Sequence, residues 1–223
     1  MKLKINEIFE DIEGEGIFRG FGTLFIRFSG CNLRCVWCDT KTSYNRGAYV
    51  ETADLMRIIK KSPYKRISIT GGEPLEQKEG LVMLINEVKK KFPGKIICVE
   101  TNGSRNIAGI KADCISMDIK PPSSGVHKEM DVMNLKRLRK KDQVKITAAS
   151  EEDMEYARKI LQKYGTKASV SVQPVFGRLG VKKIGGFIMK KSLDWSAGIQ
   201  LHKIQGGTRG LKRTVEIPGV RQN

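Results

Sequence analysis

The chain has 223 residues, enough to bury one sizeable core without help from disulfides. With 39% hydrophobic and 29% charged residues it reads as a soluble globular protein. No run reaches the length of a membrane span, and the start MKLKINEIFEDIEG lacks the apolar stretch of a signal peptide, so the expected compartment is the cytoplasm. The net charge of +17 admits a polyanionic partner such as tRNA or DNA. However, the runs VKKKF, LKRLRKKD and MKKS fall at or near expected helix ends, where cations complement the dipole. No aromatics interleave with them as a stacking platform, so they read as solvated surface.

Taken in order, the chain alternates β-rich runs with amphipathic stretches. Strands are expected at 23–29, 66–70, 95–101, 114–120, 144–149, 169–175 and 198–203. Between them, Thr52 reads as the cap of a helix carrying Leu55, Met56, Ile58 and Ile59. Leu81, Leu84, Ile85, Val88 and Phe92 recur at helical spacing, as do Met154, Ala157, Ile160, Leu161 and Tyr164, the last set opening on Glu151 and Glu152 and closing before Gly165. Strand–helix alternation implies parallel βαβ units, and about six of them suggest an α/β fold that is a partial, open parallel (β/α) barrel. One domain over 1–204 and a basic tail over 205–223, extended or poorly ordered, complete the expected organisation.

Chemistry should collect where strands end. Directly after the first strong strand, SGCNLRCVWCDT holds Cys31, Cys35 and Cys38 in a C-x3-C-x2-C pattern, three of the five cysteines in the chain. Five is an odd number for a disulfide framework, and in a reducing compartment such a triplet binds a soft metal or a cluster. A closed structural zinc site wants a fourth ligand, and no second Cys pair or His lies nearby. An iron–sulfur cube held by three thiolates keeps one iron open. Cys98 and Cys114, inside expected strands, read as buried small hydrophobes.

The triplet, with Trp37 before its last Cys, resembles the cluster motif of the radical S-adenosylmethionine (radical SAM) superfamily. Further strand ends carry GGEP (71–74), ETNG (100–103) and SMDIK (116–120), which resemble the family's SAM-contacting segments in the family's order. The segment IEGEGIFRGFGTLFIRFSGCNLRCVWCDT and QLHK (200–203) narrow the resemblance to the 7-carboxy-7-deazaguanine synthase family, from about Glu10 to Lys203. That resemblance implies a radical SAM-type partial barrel carrying a [4Fe–4S] cluster on Cys31, Cys35 and Cys38, SAM, and Mg2+ on Thr40. It implies SAM contacts from Trp37, Gly71, Gly72, Glu73, Glu100, Asn102, Ser116, Lys120 and Gln173, with Glu73 accepting from the SAM ammonium. Substrate contacts are implied for Ile12, Glu13, Glu15, Gly16, Arg27, Gly72 and His202.

The implied reaction turns 6-carboxy-5,6,7,8-tetrahydropterin into 7-carboxy-7-deazaguanine, with ring contraction and loss of ammonia, for queuosine or archaeosine precursors. A flavodoxin- or ferredoxin-like reductant and a homodimer are implied with it, and nucleic acid is not required. Plainer readings stand beside these: Thr40 as a turn cap, Arg27 as an outward strand residue, Trp37 as packing, Glu100 as a strand-end charge and His202 as a structural strand residue. The family's glutamine is Glu13 here, and an acidic side chain cannot donate the amide hydrogen bond; the chain also runs on past QLHK. Two rival functions remain: a glycyl-radical-enzyme activase, which leaves GEG, Arg27 and QLHK unexplained, and a basic zinc-containing nucleic-acid-binding protein, which leaves the strand-end motifs unexplained.

Overall fold

The computed structural model describes residues 1–204 and 211–217. In chain order it contains β1 (Lys2–Ile12), β2 (Gly22–Phe28), β3 (Ala48–Glu51), α1 (Thr52–Lys61), β4 (Arg66–Gly71), α2 (Lys78–Lys91), β5 (Ile96–Thr101), β6 (Cys114–Ile119), α3 (Asn134–Arg137), β7 (Gln143–Ala148), α4 (Glu151–Tyr164), β8 (Ser169–Pro174), α5 (Val181–Lys190), β9 (Trp195–Ala197) and β10 (Arg213–Thr214). One sheet runs β10-β1-β2-β4-β5-β6-β7-β8-β9, with β3 also on β1. From β2 to β9 every neighbour is parallel, whereas β1 is antiparallel to β2, β3 and β10.

Side chains alternate faces along a strand, so each parallel strand has two fates. The outer set is aliphatic and buried: Leu24, Ile26 and Phe28; Ile67 and Ile69; Ile97 and Val99; Ile115, Met117 and Ile119; Val144 and Ile146; Val170 and Val172. It packs with Leu55 and Ile59 of α1, Leu81, Leu84 and Ile85 of α2, Met154 and Ala157 of α4, and Ile184 and Phe187 of α5. This helix-covered layer is the core. The inner set is polar, and its hydrogen bonds reveal the curl of the sheet. In a flat sheet β1 and β7 would stand about 24 Å apart, five spacings of about 4.8 Å. Instead Glu15, just past β1, takes hydrogen bonds from Lys145 of β7 and Gln173 of β8. The sheet therefore curls into a barrel whose end strands, β10 and β9, are not paired: the expected open parallel architecture.

Several expectations are corrected. β1 was not expected as a strand, because a bulge between Ile5 and Glu7 shifts its phase and buries Leu3, Ile5, Ile8 and Phe9, a spacing that mimics neither period cleanly. β3 and α5 are likewise additional. Thr52 is the first helical residue of α1, with Glu51 in the cap position. The strand expected at 198–203 lies earlier, at Trp195–Ala197; after it, Leu201 N–H bonds to Gly14 O at 2.9 Å and Leu201–Lys203 forms a 3-10 turn. Of the 205–223 tail, 205–210 and 218–223 lie outside the described residues, but β10 pairs with β1 and Ile217 is buried, so that part is docked rather than loose. Among the described residues no helix is long and apolar enough to cross a membrane. Lysines do close the helices, in the last turns of α1, α2 and α5.

Candidate active site

The inner faces end in a cavity of about 700 Å³ at the C-terminal ends of the parallel strands. Phe25 and Arg27, Thr70, Glu100, Asp118, Lys145 and Thr147, and Gln173 reach it by alternation along β2, β4, β5, β6, β7 and β8.

The loop after β2 brings Cys31, Cys35 and Cys38 to its wall as free thiols. Backbone bonds fix the loop: Gly30 N–H to Ser43 O (2.8 Å), Glu73 N–H to Gly30 O (2.7 Å) and Val36 N–H to Ser124 O (3.1 Å). The Arg34 guanidinium donates to the carbonyls of Cys31 (2.7 Å) and Leu33 (2.8 Å). Burial raises the Cys31 and Cys35 thiols, and the smaller opposing pull of Lys120 on each does not offset it. The donor set fits a three-thiolate [4Fe–4S] cluster. Cys98 and Cys114 are committed elsewhere, side by side on β5 and β6 and nearly sealed from solvent. Among the described residues no three His, Cys, Asp or Glu side chains converge to hold a single metal ion.

The GGEP loop is tied to this one. A Cβ on Gly72 would stand 2.0 Å from Gly30 O, so the close approach it allows is to the cysteine loop itself. Glu73 is fully buried and outside the cavity lining; its carboxylate accepts from Leu75 N–H (3.0 Å), Thr101 Oγ1 (2.8 Å) and Asn102 N–H (2.6 Å). Burial pushes its carboxyl up to about 7, against the pull of those hydrogen bonds. Glu73 thus clips the GGEP loop to the end of β5. Asn102, at the end of that strand, donates to Asn32 Oδ1 (3.2 Å) and lies 3.9 Å from Cys31 Sγ.

In the same cavity, carboxylates gather around one buried ammonium, Lys145. Glu15 accepts from Lys145 (2.6 Å), Gln173 (2.8 Å) and Gln200 (2.7 Å). Burial alone would raise its carboxyl, but Lys145 and these hydrogen bonds outweigh burial and hold it at about 2. Glu13 is also buried, and among the described residues the one hydrogen bond to its carboxylate is from Glu15 N–H at 3.4 Å. Burial, then the charge of Glu100, push it up to about 8, so Glu13 carries a proton at neutral pH and can donate, contrary to the expectation that an acidic side chain there cannot. Glu100 accepts from Thr70 Oγ1 at 2.9 Å. Lys120 pairs with Asp118 at 2.9 Å, and the other Asp118 oxygen is buried without a partner among the described residues.

Of the residues singled out from sequence, Ile12, Glu13, Glu15, Arg27, Cys31, Cys35, Trp37, Cys38, Thr40, Gly71, Gly72, Glu100, Asn102, Lys120, Gln173 and His202 all line this one cavity. Besides Glu73, two do not. Ser116 sits two residues below Asp118 on the same face of β6, sealed by Gln143 Nε2 at 2.8 Å. Gly16 lines a separate, smaller hollow with Gln143 and Ser171. Thr40 is not a side-chain cap: its hydroxyl bonds to Asp39 Oδ1 at 3.1 Å. His202 rides the 3-10 turn, packed so closely on the GEG loop that a Cβ on Gly14 would stand 2.4 Å from its Nδ1. Lys145, Asp118, Gln200 and Lys212 were not anticipated. The alternation Gln143-Val144-Lys145-Ile146-Thr147 is the signal that would have exposed Lys145, since it shares a face with two polar residues.

A parallel sheet with a three-thiol loop at the end of its first parallel strand defines the radical SAM class, and the model of the radical SAM superfamily matches residues 25–140. The chain is 35% identical over 207 residues to a 7-carboxy-7-deazaguanine synthase of Methanospirillum hungatei, covering 92% of this chain and 86% of that one. It is 36% identical over 219 residues to that of Thermoplasma acidophilum, covering 97% and 99%, and 36% over 214 residues to that of Clostridium acetobutylicum, covering 92% and 96%. A crystal structure of QueE from Escherichia coli shares the fold, with TM-score 0.76 and 22% identity over 90% of this chain and 94% of that one. The chain belongs to the 7-carboxy-7-deazaguanine synthase family of the radical SAM superfamily.

Proposed function

We propose that this enzyme converts 6-carboxy-5,6,7,8-tetrahydropterin to 7-carboxy-7-deazaguanine, contracting the ring and releasing ammonia, in 7-deazapurine biosynthesis. The observation that carries the reading is that three free thiols and the Arg27, Glu15 and Glu13 group open on one cavity. A [4Fe–4S] cluster held by Cys31, Cys35 and Cys38 would supply the electron that cleaves SAM and so the radical that takes hydrogen from the substrate. Arg27, whose Nε is held by Glu7 at 2.8 Å, keeps its terminal nitrogens for a carboxylate. Ionised Glu15 accepts from N–H groups of a 2-aminopyrimidine edge, while protonated Glu13 beside it donates to that edge. Lys145 fixes the charge on Glu15 before a ligand arrives, so that edge meets a set acceptor.

Trp37, Gly71, Gly72, Glu100, Asn102 and Lys120 are assigned to SAM; all of them line the cavity on which the three thiols open. Thr40 is assigned to Mg2+; its hydroxyl and Asp39 Oδ1 are hard oxygens on the cluster loop. A flavodoxin- or ferredoxin-like reductant, a homodimer, a cytoplasmic location and no requirement for nucleic acid complete the reading.

The test is one anaerobic assay of reconstituted enzyme with reductant, SAM, Mg2+ and 6-carboxytetrahydropterin, read by mass spectrometry. We expect 7-carboxy-7-deazaguanine with equimolar ammonia and only trace 5′-deoxyadenosine. Deoxyadenosine without the deazaguanine would move the substrate to a partner protein or another heterocycle.

A further inference from the structure

The segment beyond QLHK returns to the cavity. Val215 N–H bonds to Ile8 O at 2.9 Å, Thr214 and Arg213 pair with Phe9 and Glu10, and Arg213 bridges the Glu10 carboxylate at 2.8 Å. Ile217, a few residues on, is buried. These contacts fix the residue just before β10, Lys212, in the cavity wall. Its ammonium stands 4.3 Å from the centroid of Phe9 and 2.6 Å from Glu7 Oε2. The other Glu7 oxygen takes Arg27 Nε at 2.8 Å, and Glu7 and Arg27 are register partners on β1 and β2.

Two cations therefore share one carboxylate across three adjacent strands. Their donors are in surplus. Among the described residues Arg27 donates only through Nε, and Lys212 spends one of its three hydrogens. Both residues line the cavity, and so do the stacked rings of Phe9 and Phe25, whose centroids are 4.7 Å apart. A free guanidinium fork beside an ammonium, over an apolar floor, suits a carboxylate carried on a flat or apolar body.

We propose that Lys212, delivered by the C-terminal strand, is the second cation of a carboxylate subsite whose first is Arg27, and that it sets affinity for the carboxyl group of the substrate. This rests on the proposed function for the name of the ligand, but not for its chemistry. SAM also bears a carboxylate, so the KM for SAM is read beside that for the carboxypterin to tell the two ligands apart.

The test uses full-length holoenzyme, wild type, Lys212→Gln and Lys212→Arg, with pterin-6-carboxylate and plain pterin as binding probes followed by Trp fluorescence. Wild type should bind the carboxylated probe more tightly. Lys212→Gln should weaken that binding about tenfold, the loss of one charge-assisted contact, and leave plain pterin unchanged. Lys212→Arg should restore it. In turnover, Lys212→Gln should raise the KM for the carboxypterin about tenfold, with kcat and the KM for SAM within about twofold. Equal weakening for both probes, no weakening for either, or a shift in the KM for SAM instead would overturn the subsite. If wild type shows no turnover of the carboxypterin while the probe pattern holds, the proposed function falls and the subsite stands.

Discussion

The inner and outer faces of the parallel strands are built from the same few segments, and alternate residues of each go to opposite tasks. Outward, Ile67, Val99, Met117, Ile146 and Val172 are sealed against the helices and hold the fold. Inward, Thr70, Glu100, Asp118, Lys145 and Gln173 face the cavity: Thr70 bonds to Glu100, Asp118 takes Lys120, and Lys145 and Gln173 both donate to Glu15. Parallel sheets are normally apolar on both faces, which makes the polar inner face the informative departure. Burying charged groups there is tolerable only because they come with partners, such as Lys145 with Glu15 and Lys120 with Asp118. Stability and chemistry are thereby separated by one peptide unit, and the separation can be tested.

The largest expected effect is at the loop that crowns the inner face. Cys35→Ala should abolish SAM cleavage and the brown colour of reconstituted protein, as should Cys31→Ala or Cys38→Ala. The melting temperature of cluster-free protein should hardly move, since these thiols are only partly buried and support no core contact. Formation of the deazaguanine at the wild-type rate by the Cys35→Ala protein would remove the triplet from the mechanism.

The same alternation explains what the sequence made legible. Segments 66–70, 114–120 and 144–149 pair a buried aliphatic set with a polar set, so their strand character was plain, and each ends at a motif. β1 was not legible because the bulge at Ile5/Glu7 breaks its period, and β9 was misplaced because Gly198 and the docking of Leu201 on Gly14 end the strand early. Within the site, motif residues were found through local pattern: the cysteines, Arg27, Glu100 and Lys120. That Glu73 and Ser116 lie off the cavity lining was not legible, because burial is a property of the assembled barrel; both acceptors are taken by protein donors that come from another strand or loop. Lys212 had no local signal at all, since only the pairing of β10 with β1 brings it to the cavity.

A sharper test compares neighbours on β7. Ile146→Ala should destabilise the protein by about 2–5 kcal/mol in chemical denaturation and leave the substrate KM unchanged. Lys145→Met should raise that KM at least tenfold, because Glu15 then loses the cation that keeps it ionised. The acid limb of stability separates the two further. The Glu15 carboxyl is depressed to about 2 in the folded protein from an ordinary 4.5, so its contribution is present above the unfolded value and is lost as pH falls through about 2. Denaturation midpoints measured from pH 5 down to pH 2 should show that loss in wild type and Ile146→Ala, and not in Lys145→Met. An unchanged acid limb in Lys145→Met would mean that Gln173 and Gln200 alone hold the charge.

The smallest effect expected concerns Glu13, where the balance of charges on the inner face is finest. Glu13, Glu15 and Glu100 share Lys145 as the near cation, and Cys98 lies below them on the same face of β5. Glu15 is ionised by its pairing, so Glu13 keeps a proton, raised first by burial and then by Glu100. A raised folded value means that the stability tied to that proton is full below about 4.5 and is lost as pH climbs through about 8. Substrate affinity should follow the same direction: flat from pH 6 to 7.5, then weakening several-fold by pH 9 as the donor disappears. Glu13→Gln supplies a permanent donor of nearly the same shape, so it should match wild type at pH 7 and remove the alkaline weakening. The measurement is KM against pH for both proteins. If Glu13→Gln weakens binding at pH 7, or keeps the alkaline limb, the donor is not Glu13, and the titrating group must be sought among the other residues that line the cavity.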